Sequence, residues 1–266
     1  MSEASQSIPP QPVVVGATGG SGTRAVRELL ARAGVYMGSR VNPPGDALDF
    51  LPFHQAVINW TLQHTRSVDY RLADLPDWLR REGLALLRRC LGRYLDGAPQ
   101  RPGLWGWKVP TTLYLLPYIA AVVPDFRLVH VVRDGRDIAF SRNQRQTFTY
   151  HGDLFGRWQE QPLHAPAIRL WSRVNVEAMT WARRELPGRY LLVRFEDLCG
   201  DPTSQGGRIL SFVGSDADPA AATEHIRQVQ SIGRWRRQPG KIVGRLCDEG
   251  RAGLEAFGYL DGDEEP

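Results

Sequence analysis

Phe126-Arg127-Leu128-Val129-His130-Val131-Val132 runs directly into Arg133-Asp134-Gly135-Arg136-Asp137-Ile138-Ala139-Phe140-Ser141. The first seven residues are almost continuously apolar and end at a polar turn, as a strand buried on both faces of a parallel sheet should. Arg136 to Gln146 reads as the helix that follows it. Working outward, Pro12 to Val15 is a second short apolar strand, ending in glycines. Ser21 to Ala33 is its helix, with apolar residues at 25, 26, 29, 30 and 33. Further helices are expected near 54–65, 76–95, 111–122, 203–213 and 219–229, and a long one over Ala167 to Glu185. Trp105 to Val109 and Tyr190 to Phe195 complete the strands, and a basic loop covers 231–241. Strands alternating with helices predict an α/β fold, a mainly parallel central sheet covered by helices on both faces. Ligands of such sheets sit outside the carboxyl ends of the strands.

The 266 residues are 42% hydrophobic and 23% charged, which excludes wholesale disorder, a collagen-like fibre and a coiled-coil rod. No apolar run approaches the ~18 residues that cross a bilayer, and Met1 to Gln11 lacks the pattern of a secretory signal. Residues 1–11 read as a loose arm, 12–260 as one domain and 261–266 as a solvated acidic tail. A net charge of +4 does not argue for nucleic acid. Of 33 basic residues only Lys108 and Lys241 are lysines. The arginine excess suits anionic ligands, because guanidinium binds phosphate through paired donors. Cys90, Cys199 and Cys247 are widely spaced and form no zinc pattern, so reduced thiols, no metal and a cytoplasmic setting are expected.

The first strand enters Gly16-Ala17-Thr18-Gly19-Gly20-Ser21-Gly22-Thr23-Arg24. A strand, a glycine turn and a helix start make an anion site, because backbone N–H groups converge where the helix dipole is positive. The loop lacks the lysine of a Walker A motif, which disfavours an ATPase or kinase. Gly16, Gly19 and Gly22 fit a dinucleotide-binding turn, which then needs a second strand near Val35–Gly38. A third reading is a phosphosulfate loop with Ser21-Gly22-Thr23 at its centre. In the decisive stretch, a phosphate near the helix start would meet a forked contact from Arg133 and the Ser141 hydroxyl, two turns into the helix. Asp137 would face the helix dipole or hold an arginine in place.

With these motifs the chain resembles sulfotransferases that use 3′-phosphoadenosine 5′-phosphosulfate. Their 3′-phosphate motif, R-[DN]-x-x-D-x-x-x-S, is matched at every fixed position from Arg133 to Ser141. Trp107-Lys108-Val109-Pro110, Val193-Arg194-Phe195-Glu196-Asp197-Leu198 and Ser231-Ile232-Gly233-Arg234-Trp235-Arg236 resemble further family segments, in the family's order. The resemblance implies a P-loop-like three-layer fold and sulfonate transfer to a hydroxyl or amine. The acceptor would be a small molecule or a glycan- or lipid-like compound, and no nucleic acid or membrane span is involved. It also implies a nucleotide held by Gly19, Gly20, Ser21, Gly22, Thr23, Arg24, Arg133, Ser141, Ser231 and Arg234. Lys108 takes the place of the lysine that stabilises the leaving oxygen.

The family loop has a basic residue where Gly20 stands, and Arg24 is the nearest cation that replaces it. The histidine that many members carry after the lysine is also absent. The base is then sought, in order, in Asp46, Asp49 and His54, with Asp46 equally readable as a helix cap. His130 is expected to be a core histidine, and Trp60, Trp78, Trp158, Trp171 and Trp181 core or groove wall. An NAD(P)-binding oxidoreductase and a non-catalytic nucleotide-binding module are the alternatives. The segments 36–75 and 143–165 are expected to choose the acceptor. Phe148, Tyr150, Phe155 and Trp158 hint at an apolar or aromatic one.

Overall fold

The computed structural model describes residues 11–98, 103–156 and 163–260. Four parallel strands, β1 (Val13–Gly16), β2 (Gly106–Lys108), β3 (Arg127–Val132) and β4 (Tyr190–Arg194), pair in the order β2-β1-β3-β4. Val15 of β1 sits level with Lys108 on one side and Val129 on the other. Between β1 and β2 come α1 (Thr23–Arg32), α2 (Leu51–Thr65) and α3 (Asp77–Asp96), and α4 (Leu116–Val122) leads to β3. After β3 follow α5 (Gly135–Ala139), α6 (Arg145–Phe155) and α7 (His164–Glu185). After β4 come α8 (Phe195–Gly200), α9 (Pro202–Val213), α10 (Pro219–Thr223) and α11 (Gly240–Ala256).

Strand side chains alternate between the two faces of a sheet, and this alternation builds three layers here. Val13, Val15, Val129, Val131 and Val193 pack under α1, α8 and α9. Val14 and Leu128 face the opposite way, into a core with residues of α2, α3, α4 and α7. Val132 joins α5, α7 and α11 in a third cluster around Trp171. The expected α/β fold with a parallel sheet flanked by helices is therefore the one observed. No helix among the described residues is long and apolar enough to cross a membrane.

Several expectations change. The helix after β3 stops at Ala139, so Ser141 lies beyond its end rather than two turns inside it. Gln144 ends it: its amide donates to the carbonyls of Ile138 and Ser141, both at 2.9 Å, which a continuing helix would have used. The chain restarts as α6, within the segment 143–165 for which no helix beyond Gln146 was expected. The helix expected over 111–122 is a 3-10 turn at Pro110–Tyr114 followed by the short α4, with Pro117 at the start of the second piece. The helix expected to 229 ends at Thr223, and the chain turns to seat His225 Nε2 on the Ala25 carbonyl at 3.1 Å. Trp171 and Trp181 are buried, but Trp60 and Trp78 are half-exposed. Gln11, the last residue of the expected arm, is tied to Asp125 and Arg127. The rest of that arm, the tail at 261–266 and Trp158 lie outside the described residues.

His130 is the core histidine the sequence suggested. Nε2 bonds Asn175 Oδ1 at 2.8 Å and Nδ1 meets the Tyr190 hydroxyl at 3.1 Å. Burial pushes its pKa down to about 4 from 6.5, against the raising effect of Asn175. Between these values the unfolded chain binds the extra proton, so stability is full above pH 6.5 and falls as pH drops toward 4. At about 1.4 kcal/mol per pH unit, His130 alone should contribute roughly 3 kcal/mol of acid lability. Urea unfolding at pH 7 and pH 4.5 checks this: His130→Gln should flatten the difference, and an unchanged acid slope would contradict it.

Candidate active site

The sheet order places the turn after β1 between the ends of β2 and β3, so Lys108 and Arg133 flank the glycine loop from opposite sides. Their strands are two spacings apart, roughly 10 Å, and Arg133 lies four residues beyond the level of Lys108, roughly 13 Å further along. Gly22 caps α1 with φ 83°, and a Cβ there would lie 2.2 Å from the Phe195 ring. Only glycine meets both demands. Gly20 also has positive φ, 88°, and faces the Ser141 hydroxyl. Gly19 faces Asn143 and Gln146 at the start of α6. Ser21 was expected to face the nucleotide, but its hydroxyl is buried and donates to the Thr18 carbonyl at 2.9 Å, bracing the loop from within. The Thr18 hydroxyl in turn accepts from Asn175 at 3.2 Å, which ties the loop to His130. Thr23 is the first residue of α1 and Arg24 the second, exposed beside the loop.

The loop opens into a cleft of about 610 Å³ lined by Gly19, Gly20, Gly22, Thr23, Arg24, Asp46, His54 and Lys108, among others. Lys108 is 1% exposed; its ammonium donates to Asp46 Oδ1 at 2.5 Å and to the Pro44 carbonyl at 2.8 Å. Burial lowers the Lys108 pKa from the ordinary lysine range, Asp46 opposes that shift, and Arg27 and Arg24 add to it. Asp46 caps no helix. Asn42 holds it instead, Nδ2 donating to Asp46 Oδ2 at 2.9 Å and Oδ1 accepting from the Asp46 N–H at 2.7 Å. Asp49 lies three residues on, accepts from Arg40 at 2.7 Å and does not line the cleft. His54 does line it. Its Nδ1 sits 2.8 Å from the Thr111 hydroxyl and its buried Nε2 has no partner. Burial takes the ring's pKa down to about 3 despite Asp46, so it is neutral near pH 7.

On the other side of the loop, Arg133 is buried and donates to Asp137 Oδ2 and to the Ser231 hydroxyl, both at 3.1 Å, and also to the Ser231 carbonyl. Asp137, fully buried, also accepts from the N–H groups of Gly233 at 2.9 Å and Trp235 at 3.2 Å. The carboxylate expected to hold an arginine thus fastens the basic loop to the end of β3 as well. Arg234 donates to the Ser231 carbonyl at 3.1 Å. The structure therefore gathers Arg133, Ser141, Ser231 and Arg234 on one side of the loop and Lys108, Asp46, His54 and Arg24 on its cleft side. Asp49 stays apart.

Sequence reasoning passed over Asn42, Gln55, Asn59, Asn143, Arg145 and Gln146, all of which line the cleft. They come from α2, α6 and two separate loops, with no motif of their own, and only packing brings them together. Phe148 and Phe155, read as hints of an apolar acceptor, are 62% and 38% exposed and lie outside the cleft lining. The strand that a dinucleotide fold needs after α1 is reduced to one bridge between Tyr36 and Trp105, and β2 takes the place beside β1.

A family model described as "Sulfotransferase family" matches residues 12–219. Human (Homo sapiens) carbohydrate sulfotransferase 5 is 31% identical over 114 residues, 40% of this chain and 28% of that protein. The chain thus spans well under half of that relative. The sulfotransferase domain from the curacin biosynthetic pathway has a similar fold, with TM-score 0.57 at 14% identity, over 97% of this chain and 99% of that one. A retinol dehydratase crystallised with androsterone and inactive cofactor PAP is similar with TM-score 0.51 at 19% identity, over 97% and 83%.

Proposed function

The chain belongs to the sulfotransferase family, and from that premise we propose that it moves a sulfonate group from 3′-phosphoadenosine 5′-phosphosulfate to an acceptor hydroxyl or amine. One domain over 12–260 carries the reaction, without a metal, in the cytoplasm to which the unpaired cysteines point. The acceptor is a small molecule or a glycan- or lipid-like compound. The observation that carries this reading is the glycine loop flanked by Lys108 and Arg133, so that one extended anion would meet a cation on each side of the loop. Arg133, Ser141, Ser231 and Arg234 would hold the 3′-phosphate. The loop N–H groups and Arg24 would hold the 5′ end. Lys108 would neutralise the oxygen that leaves with the nucleotide. Asp46, already against Lys108, would take the proton of the acceptor as the new bond to sulfur forms. His54 is second for that role, through its unpartnered Nε2. Catalysis is then positioning and charge stabilisation, with no covalent enzyme intermediate.

Calorimetry with adenosine 3′,5′-bisphosphate (PAP) and 5′-AMP tests the nucleotide grip. A phosphate bound by buried charged donors is worth about 1.5–3 kcal/mol. PAP should therefore bind at least about tenfold more tightly than 5′-AMP, and equal affinities would reject the reading. Mass detection of a sulfonated product then separates an enzyme from a non-catalytic nucleotide-binding module.

A further inference from the structure

The cleft has two halves. The glycine loop, Arg24 and Lys108 form the half assigned above to the donor. The other half lies between α2, which contributes Gln55 and Asn59, and α6, which contributes Arg145, Thr149 and Tyr150. Bonds between these helices close its far end: Asn59 donates to Asp153 at 2.8 Å and to the Thr149 carbonyl at 3.3 Å, and Gln63 donates to Asp153 at 3.1 Å. Asp153, the carboxylate on the same helix, is thereby committed to α2. Arg145 lies on α6 one turn before Thr149 and shares its face.

Among the described residues no side chain hydrogen-bonds or ion-pairs with the Arg145 guanidinium. Its field reaches the half-buried Tyr150 hydroxyl: burial raises that group's pKa, Arg145 opposes the rise and Asp153 adds to it. Apart from Lys108 and Arg24, Arg145 is the one cation on the cleft wall among the described residues, and Asp46 is the one carboxylate. The half facing the acceptor is therefore polar, and Arg145 is the one cation it presents among the described residues. A cationic group entering there meets the Arg145 charge, while the Asp153 carboxylate is turned to Asn59 and Gln63 of α2. An anionic group meets an open guanidinium fork, the geometry that binds carboxylate or phosphate through two donors.

We propose that the acceptor carries an anionic group, a carboxylate or a sulfate or phosphate ester, that Arg145 binds while a hydroxyl of the same molecule is presented to Asp46. This rests on the sulfotransferase reading and narrows it: a hydroxyl acceptor of acidic character, not a protonated amine. Arg145 is then a specificity residue. It takes no part in bond making, and Arg145→Gln leaves the nucleotide grip intact.

The test uses the full chain loaded with PAP and two probes that differ in one group, methyl β-glucuronide and methyl β-glucoside, titrated by calorimetry. The wild-type protein should bind the glucuronide at least about tenfold better, the difference of one charged hydrogen-bonding contact. Arg145→Gln should erase the preference, and Arg145→Lys should restore part of it. PAP affinity should be the same in all three proteins. No binding of the glucuronide, equal binding of both probes, a preference that survives Arg145→Gln, or a fall in PAP affinity in that variant would each overturn the proposal. If PAP itself fails to bind the wild-type protein, the nucleotide reading fails. The probes are then titrated without it, and the same criteria decide the Arg145 proposal.

Discussion

Replacing Lys108 by alanine is expected to lower turnover by about 10²–10³-fold, the usual cost of removing one donor aimed at developing charge. The binding constant of PAP should move far less, because the lysine acts on an oxygen whose charge grows only as the bond to sulfur breaks. Lys108 is placed for this work by burial and by two acceptors, Asp46 and the Pro44 carbonyl, which hold its ammonium at the cleft wall. Lys108→Arg should rescue little, since a planar fork does not replace a compact charge in a site this closed. Burial lowers the lysine's pKa. The protonated form is the active one, so turnover should fall as pH rises through that lowered value, starting below the range of an ordinary lysine. Rate and PAP affinity lost in equal proportion would mark Lys108 as structural.

Replacing Arg133 by alanine is expected to weaken PAP binding by about 1.5–3 kcal/mol, the cost of losing a charged hydrogen-bonding partner. The structure adds a second consequence. Arg133 neutralises Asp137, which is fully buried and also holds the N–H groups of Gly233 and Trp235. Removing one partner of a buried pair leaves an uncompensated charge and costs about 3–5 kcal/mol of stability. The variant should melt lower and release the 231–237 loop. The discriminating measurement is therefore the ratio of PAP to 5′-AMP affinity. It should collapse toward one in Arg133→Ala, with 5′-AMP binding nearly unchanged. The same fractional loss for both nucleotides would mean general damage to the fold, and an unchanged ratio would remove Arg133 from the 3′-phosphate. Arg133→Ala combined with Asp137→Asn should recover melting temperature without recovering the ratio.

Much of this was legible in the residues themselves. The apolar runs at Val13–Val15 and Leu128–Val132, the second broken only by His130, point to strands buried on both faces, since branched side chains favour strands and both runs end at a polar or glycine turn. The glycine loop and the Arg133–Ser141 spacing carry their chemistry locally, in backbone N–H groups and in side chains a few residues apart. Local reading failed where the deciding partner was distant. The stop after Ala139 depends on the Gln144 amide folding back onto three carbonyls. Helix α11 went unread because its glycines look like helix breakers. Gly250 and Gly253 serve close approach instead, since a Cβ at either would sit 2.6 Å from Ile168 or Trp171 of α7. On sequence Asp46 stood only one rank ahead of Asp49 as the base, and it read equally well as a helix cap. Packing alone separated them, pairing Asp46 with Lys108, 62 residues away in sequence, and Asp49 with Arg40. The sequence by itself determined the layered parallel fold and the glycine loop at the end of its first strand, since these follow from apolar periodicity and short-range spacing. The pairing of the carboxylates and the polar cleft wall built from α2 and α6 were decided only by tertiary structure, because both depend on contacts between segments that no local pattern relates.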